Sequence, residues 1–348
     1  MQERIVHRKQ KTISIIDETE KGPAFLVFSH VVIDDIRDTR APTVSNVLGG
    51  AGSYAAVGQS FITLPNETVG LVSGIGDDFP ADWFDDLAAS RVDTAGLFAF
   101  DPFTPRTRID YRDDGERTEH PLHGVDHFLR AAPSITTMPS SFSAPRGIYV
   151  FHTIAPQFWA DLRVLKKMTA STVLWELNAD CCVPELLPEV LQQLDAVDIV
   201  SLNTTEMGAL FDVVGELNAD LIERAAQTLL SAGPSAVIVR GGSDGAMVVT
   251  ATGVWTSRPV PSPVVDPTGA GNAFSGAFTA AWASTGGDVS RSLRAGMAAS
   301  ALTIGQYGPP LPIGPAARSA FARIVDQLDD TTTSRPRTTS ENRTDGIR

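Results

Sequence analysis

The runs TVLWELN at 172–178, VDIVSLN at 197–203 and AVIVRGG at 236–242, separated by segments of helical length at 185–194 and 219–232, decide the fold. Each run is nearly continuous in apolar, β-branched residues, the pattern of a strand covered on both faces, which is what a parallel sheet requires. Runs of the same kind stand upstream, FLVFSHVVI at 25–33, TVGLVSGIG at 68–76 and GIYVFHT at 147–153, and AMVVTATGVWTS follows at 246–257. Helices are expected at 50–62, 80–90, 156–170, 270–284, 290–305 and 315–328. The expected class is α/β, a three-layer sandwich with a mainly parallel central sheet.

One region breaks the alternation. Between 95 and 119 the pieces LFAF, RTRIDYR and ERTEH interleave polar and apolar residues around a turn signal at 113–115, which reads as a hairpin wet on one side. Segments at about 36–48 and 95–120 are expected to form a small β-sheet lid, and its alternation allows a homodimer through that lid without requiring one. Residues 1–23 read as an extension, 24–328 as the folded unit, and 329–348 as a disordered tail, because its only apolar residue is Ile347.

The 348 residues carry 28 Lys+Arg against 41 Asp+Glu, a formal charge of -13, so the mean field repels polyanions and nucleic acid is not an expected partner. The two cysteines, Cys181 and Cys182, are adjacent and exclude a disulfide scaffold. The opening MQERIVHRKQKTISIIDE has no apolar core of signal length, and the uncharged stretch 267–287 is rich in Gly, Ser and Thr. A cytoplasmic protein without a membrane span is expected. His30, His120, His123, His127 and His152 show no metal-ligand spacing.

The chemistry concentrates in VVDPTGAGNAFSGAF at 264–278. Three successive amides at a helix start, with Gly269 and Gly271 letting an oxygen approach closely, form an anion site reinforced by the helix dipole; a tight turn with no ligand reads equally well. A second glycine-rich turn, VLGGAGSYAAVG at 47–58, opens another helix and serves either close packing or ligand contact. Asp34 sits at what reads as the C-terminal end of the first strand, the end that faces the ligand crevice in open α/β sheets. Asn203 and Glu206 follow a strand three residues apart, a spacing that suits either metal and phosphate work or a helix cap. Arg240, Gly241, Gly242 and Gly245 form a strand–turn–strand with room for a flat ligand.

Taken together and in this order, these pieces resemble the PfkB, or ribokinase-like, family of sugar and nucleoside kinases over about 25–310. The resemblance implies a ribokinase-like sandwich, ATP and Mg²⁺ as cofactors with K⁺ as an additional cation, and a sugar- or nucleoside-like acceptor. Residue by residue it implies that Asp34, Gly49 and Gly50 meet the acceptor, and that Asn203 and Glu206 order Mg²⁺ indirectly. Arg240, Gly242 and Gly245 would line the nucleotide pocket, Gly269, Ala270 and Gly271 would form the anion hole, and Asp266 would help hold a monovalent cation. GLVSGIGDDFP at 70–80 is similar to a further family segment, and 295–308 to the one closing over adenine.

The departures bear on activity. Where the family places an Asp as general base this chain has Asn272, a carboxamide that takes no proton, and loss of a positioned base costs roughly 10²–10⁴-fold in rate. Tyr54 stands where an Asn commonly touches the sugar, and Pro80 where a Gly is usual. PTGAGNAF resembles a divergent fungal branch of the family that also carries Asn there. Three outcomes are open: a slow or altered kinase in which Asn272 orients the acceptor hydroxyl, a pseudokinase acting as a binding module, or an anion hole serving other chemistry.

Overall fold

The computed structural model describes residues 22–39, 41–113 and 117–337. The chain enters on β1 (Phe25–Phe28), in which Phe25 and Val27 face one core while Leu26 and Phe28 face the other, the period of two expected of a strand buried on both sides. It then leaves the main layer for β2 (Val32–Asp38) and β3 (Ala41–Gly49), returns through α1 (Ala51–Ser60) to β4 (Val69–Gly76), and continues into α2 (Ala81–Ala89), β5 (Val92–Asp93) and β6 (Leu97–Asp101). The excursion closes with β7 (Arg106–Tyr111), β8 (Arg117–Pro121) and α3 (Val125–Arg130).

Regular alternation follows: β9 (Gly147–Val150), α4 (Pro156–Thr169), β10 (Thr172–Glu176), α5 (Leu187–Gln193), β11 (Ile199–Asn203), α6 (Thr204–Leu210), α7 (Ala219–Ser231) and β12 (Ala236–Arg240). A hairpin of β13 (Ala246–Thr250) and β14 (Gly253–Ser257) precedes the helices α8 (Ala270–Thr285), α9 (Val289–Thr303) and α10 (Pro315–Gln327), and β15 (Thr332–Pro336) ends the described chain. The main sheet runs β15-β14-β13-β12-β11-β10-β9-β1-β4-β5, with β6 also on β4, and is parallel from β12 to β4. Residues of α1, α8 and α9 fill the core on one face, those of α4, α5 and α7 the core on the other, which gives the expected three layers.

The small residues of α1 and α8 have a packing cause. A β-carbon on Gly58 would overlap the Ala273 carbonyl, and one on Gly276 the Ala55 carbonyl, so the two helices touch through their backbones. Among the described residues no helix is long and apolar enough to cross a membrane.

Four expectations change. FLVFSHVVI is two strands: β1 lies in the main sheet, while β2 belongs to a four-stranded sheet ordered β3-β2-β7-β8. Both are buried, so the apolar run hides the point where the chain changes sheets. The lid therefore contains 106–111 and 117–121 but not LFAF, because β6 pairs in parallel with β4, Ser73 opposite Leu97. The run 246–257 folds back on itself as an antiparallel hairpin.

The tail is also ordered in part. Thr332–Pro336 pairs antiparallel with β14, Trp255 opposite Ser334, so disorder from 329 onward is corrected. An open strand edge offers unpaired backbone groups that need no apolar side chain, and Pro336 suits an edge position. The remainder of that tail, the extension over 1–21 and the turn residues 114–116 lie outside the described residues.

Candidate active site

The site is organised by the turn into α8. Asp266 bends back over the two residues that follow it: its Oδ1 accepts from the Thr268 amide at 2.9 Å, from Thr268 Oγ1 at 2.7 Å and from Tyr111 Oη at 2.9 Å, while Oδ2 is buried without a partner among the described residues. Gly269 then adopts φ +74°, a left-handed conformation that suits glycine, and the helix begins at Ala270. The amides of Gly269, Gly271 and Asn272 have no acceptor among the described residues. Those of Thr268 and Ala270 do: the first is held by Asp266, and the second donates to the Pro267 carbonyl at 3.3 Å. The Ala270 amide thus also closes the turn within the protein.

On one side of this helix start lies a buried acidic cluster of Asp34 and Asp266. Asp34 is the third residue of β2, not a strand end of the main sheet, and its carboxylate lies against Gly49, where a β-carbon would overlap it. Burial raises the Asp34 carboxyl to about 8, with Glu119 and Asp266 adding to the shift. Tyr54, on the first turns of α1, is 1% exposed; its ring covers Gly269 and its hydroxyl has no hydrogen-bond partner among the described residues. Burial and the neighbouring Asp34 and Asp266 hold that phenol well above its ordinary range. Gly50 caps α1 with φ +82° and contributes turn geometry.

On the other side a buried polar network joins four strands and two helices. Arg240, at the end of β12, lies 3.0 Å from Glu176 on β10 and 3.4 Å from Glu206 on α6. Glu206 also closes a capping box with Asn203, its Oε2 accepting from the Asn203 amide at 2.7 Å while Asn203 Oδ1 accepts from the Glu206 amide at 2.8 Å. The helix-cap reading of this pair is therefore realised in the fold. Burial raises the Glu206 carboxyl, and Arg240 partly offsets that. Tyr149 Oη on β9 donates to Glu176 at 3.0 Å, and Asn272 Nδ2 donates to Tyr149 Oη at 3.2 Å and to Glu176 at 3.1 Å.

A cavity of about 510 Å³ opens beside this network. Asn203, Arg240, Gly242, Gly245 and Gly271 line its polar end, and Phe274, Met297 and Ile304 its apolar wall. Asp34, Gly49, Gly50, Tyr54, Glu206 and Asn272 do not line it. The structure thus brings the expected residues to one helix start as two groups, a buried acidic cluster that Tyr54 adjoins and a half-apolar cavity beside the network that holds Asn272. Among the described residues no group of three or more His, Cys, Asp or Glu is placed to hold a metal ion. His30 is buried, stacks on Phe128 and bonds its carbonyl at 2.8 Å, and burial lowers it to about 4.

Sequence reasoning missed Glu176, Tyr149 and Tyr111. A single carboxylate inside TVLWELN was the available signal, since a charge in a fully buried strand calls for a partner. Tyr149 and Tyr111 read as ordinary apolar strand positions.

A parallel three-layer sandwich with a small second sheet beside its cleft is the ribokinase-like fold. The structure superposes on the nucleoside kinase of Methanocaldococcus jannaschii, an archaeal member of the ribokinase family, with a TM-score of 0.63 at 18% identity, covering 89% of this chain and 99% of that one. A candidate ribokinase II of Escherichia coli, in complex with ATP and Mg²⁺, gives a TM-score of 0.68 at 19% identity over 88% of this chain and 99% of that one. In sequence, residues 164–313 match the pfkB family carbohydrate kinases. The chain is also 27% identical over 264 residues to the cytidine kinase of Thermococcus kodakarensis, spanning 74% of this chain and 87% of the relative.

Proposed function

We propose that the protein transfers a phosphoryl group from ATP to a hydroxyl of a sugar- or nucleoside-like small molecule. One observation carries the reading: three amides at the start of α8 have no acceptor among the described residues, Gly271 of the three lines the 510 Å³ cavity, and the buried acids Asp34 and Asp266 lie close by. The apolar wall formed by Phe274, Met297 and Ile304 fits a nucleotide base, and Arg240 with the amides of Gly269, Gly271 and Asn272 fits its phosphates. Asn203, Gly242 and Gly245 complete the nucleotide side. Asp34, beside Gly49, Gly50 and Tyr54, fits an acceptor hydroxyl. The cytidine kinase relative and the pfkB match support the substrate class.

The cation assignments follow from the donor chemistry. Glu206 already spends an oxygen on its own cap and on Arg240, so it suits a water-mediated contact with Mg²⁺ better than direct ligation. Asp266 Oδ2, buried and without a partner, fits a monovalent cation such as K⁺. When bound, ATP supplies the phosphoryl group and Mg²⁺ neutralises its charge. The chain positions the reactants: the helix start receives negative charge, and the cleft orients the hydroxyl. The four-stranded sheet serves as a lid and as the surface for a homodimer, and the free, buried Cys181 and Cys182 suit a reducing, cytoplasmic setting.

A second reading has its own support. Asn272 is turned toward Glu176 and Tyr149, and Tyr54 covers Gly269, an arrangement that also suits a nucleotide-binding pseudokinase. Thermal stabilisation by ATP, measured beside ATP turnover across a panel of sugars and nucleosides, separates the readings. Stabilisation with turnover supports the kinase, stabilisation alone the pseudokinase, and neither overturns both.

A further inference from the structure

Beneath the start of α8 lies the carboxylate of Glu176, 2% exposed. Three elements converge on it: Tyr149 of β9 donates to Oε2 at 3.0 Å, Arg240 of β12 lies 3.0 Å from Oε1, and Asn272 of α8 donates to Oε1 at 3.1 Å. The second N–H of the same amide reaches Tyr149 Oη at 3.2 Å. Both donors of Asn272 are therefore directed inward. A carboxylate only accepts, so the nitrogen of the amide must face Glu176 and its oxygen must face away. Asn272 keeps partial exposure at the helix mouth, and its Oδ1 has no hydrogen-bond partner among the described residues.

We propose that Glu176 is a positioning residue: it fixes the Asn272 amide with Oδ1 presented to the acceptor hydroxyl, and it reserves position 272 for a neutral side chain. The role in turnover rests on the kinase reading above; the charge coupling between the two positions does not. A carboxylate at 272 would stand about 3 Å from Oε1 of Glu176, and two buried like charges at that distance force one group to keep its proton. The other titratable groups around the pair are Tyr149, Arg240, Glu206 and Cys182. Burial holds Tyr149 well above its ordinary value and Cys182 at about 12, so both stay neutral at ordinary pH. Glu206 is common to every variant compared.

The experiment compares the natural chain with Asn272→Asp, Glu176→Gln and the double variant. Thermal midpoints are taken from pH 5 to 8, and turnover is measured with ATP and an accepted acceptor. The introduced carboxyl has a folded-state pKa raised above its unfolded one, so Asn272→Asp loses stability as pH rises, by roughly 4 °C relative to the natural chain across that window. In the double variant one carboxylate again stands in that position beside Arg240, and the pH-dependent loss disappears. Turnover falls in Asn272→Asp and returns in the double variant.

An Asn272→Asp protein whose midpoint tracks that of the natural chain across the window, or whose kcat rises at pH 7 with Glu176 in place, overturns the proposal. If the natural chain turns over no acceptor, the kinase reading fails on that result, and the midpoint curves still decide the coupling. If the double variant does not fold, the curve of Asn272→Asp decides it alone.

Discussion

Arg240 fills the space that a side chain on Gly271 would need: a β-carbon built there would overlap its guanidinium. The second glycine of Thr-Gly-Ala-Gly therefore has a cause inside the protein, the passage of a buried arginine to Glu176 and Glu206. Gly271→Ala is expected to push the guanidinium off Glu176 and narrow the polar end of the cavity. The expected outcome is a midpoint several degrees lower and the loss of most ATP-induced stabilisation. An unchanged ATP response, measured by differential scanning fluorimetry, would show that the guanidinium can move at no cost.

Arg240→Ala goes further, because it leaves the Glu176 carboxylate buried with its charge uncompensated. Breaking such a pair costs about 3–5 kcal/mol, whereas Arg240→Lys retains the charge but not the fork that reaches both acids, and should fall between. Denaturant unfolding of the two variants measures the difference. Equal losses would mean that the retained charge restores nothing without the bidentate geometry.

Asp34 ties function to a pH-dependent cost. Its folded-state value of about 8 lies far above that of an exposed aspartate, so the folded protein holds the proton that the unfolded chain releases. Stability from this group is complete at acidic pH and declines as pH rises toward and through 8. Asp34→Asn removes the decline. The variant is expected to gain in midpoint over the natural chain at pH 8.5 relative to pH 5, while acceptor binding is lost and ATP-induced stabilisation persists. Parallel midpoint curves for the two proteins would contradict the raised value.

The layers were legible because they rest on periodicity. Strands such as TVLWE and VDIVSLN and helices such as 219–231 declare themselves by burial on both faces or on one stripe. What escaped the sequence depends on partners distant along the chain. Val32–Asp38 is as apolar at its start as β1, so nothing local marks its transfer to the second sheet. Glu176 acquires a meaning only when Tyr149, Arg240 and Asn272 arrive from three other elements. Thr332–Pro336 is held by backbone pairing to β14, to which its side-chain polarity is indifferent.

Tyr54 is the remaining residue whose chemistry is unspent. Its ring lies over Gly269 beside the buried Asp34 and Asp266, and its hydroxyl is buried with no partner among the described residues. A buried, unsatisfied hydroxyl carries a desolvation cost of about 1–3 kcal/mol that a bound ligand could relieve. Tyr54→Phe removes the hydroxyl and keeps the ring, so the free protein should be as stable as before or slightly more so. If the hydroxyl meets the acceptor, KM for the acceptor should rise roughly 10-fold, in line with one lost hydrogen bond, while KM for ATP stays constant. Tyr54→Ala adds a cavity and is expected to cost about 3–5 kcal/mol, and it opens the cleft to bulkier acceptors. A Tyr54→Phe protein with unchanged acceptor KM would reduce the residue to a packing element over Gly269, and the acceptor contacts would then fall to Asp34 and its neighbours on β2 and β3.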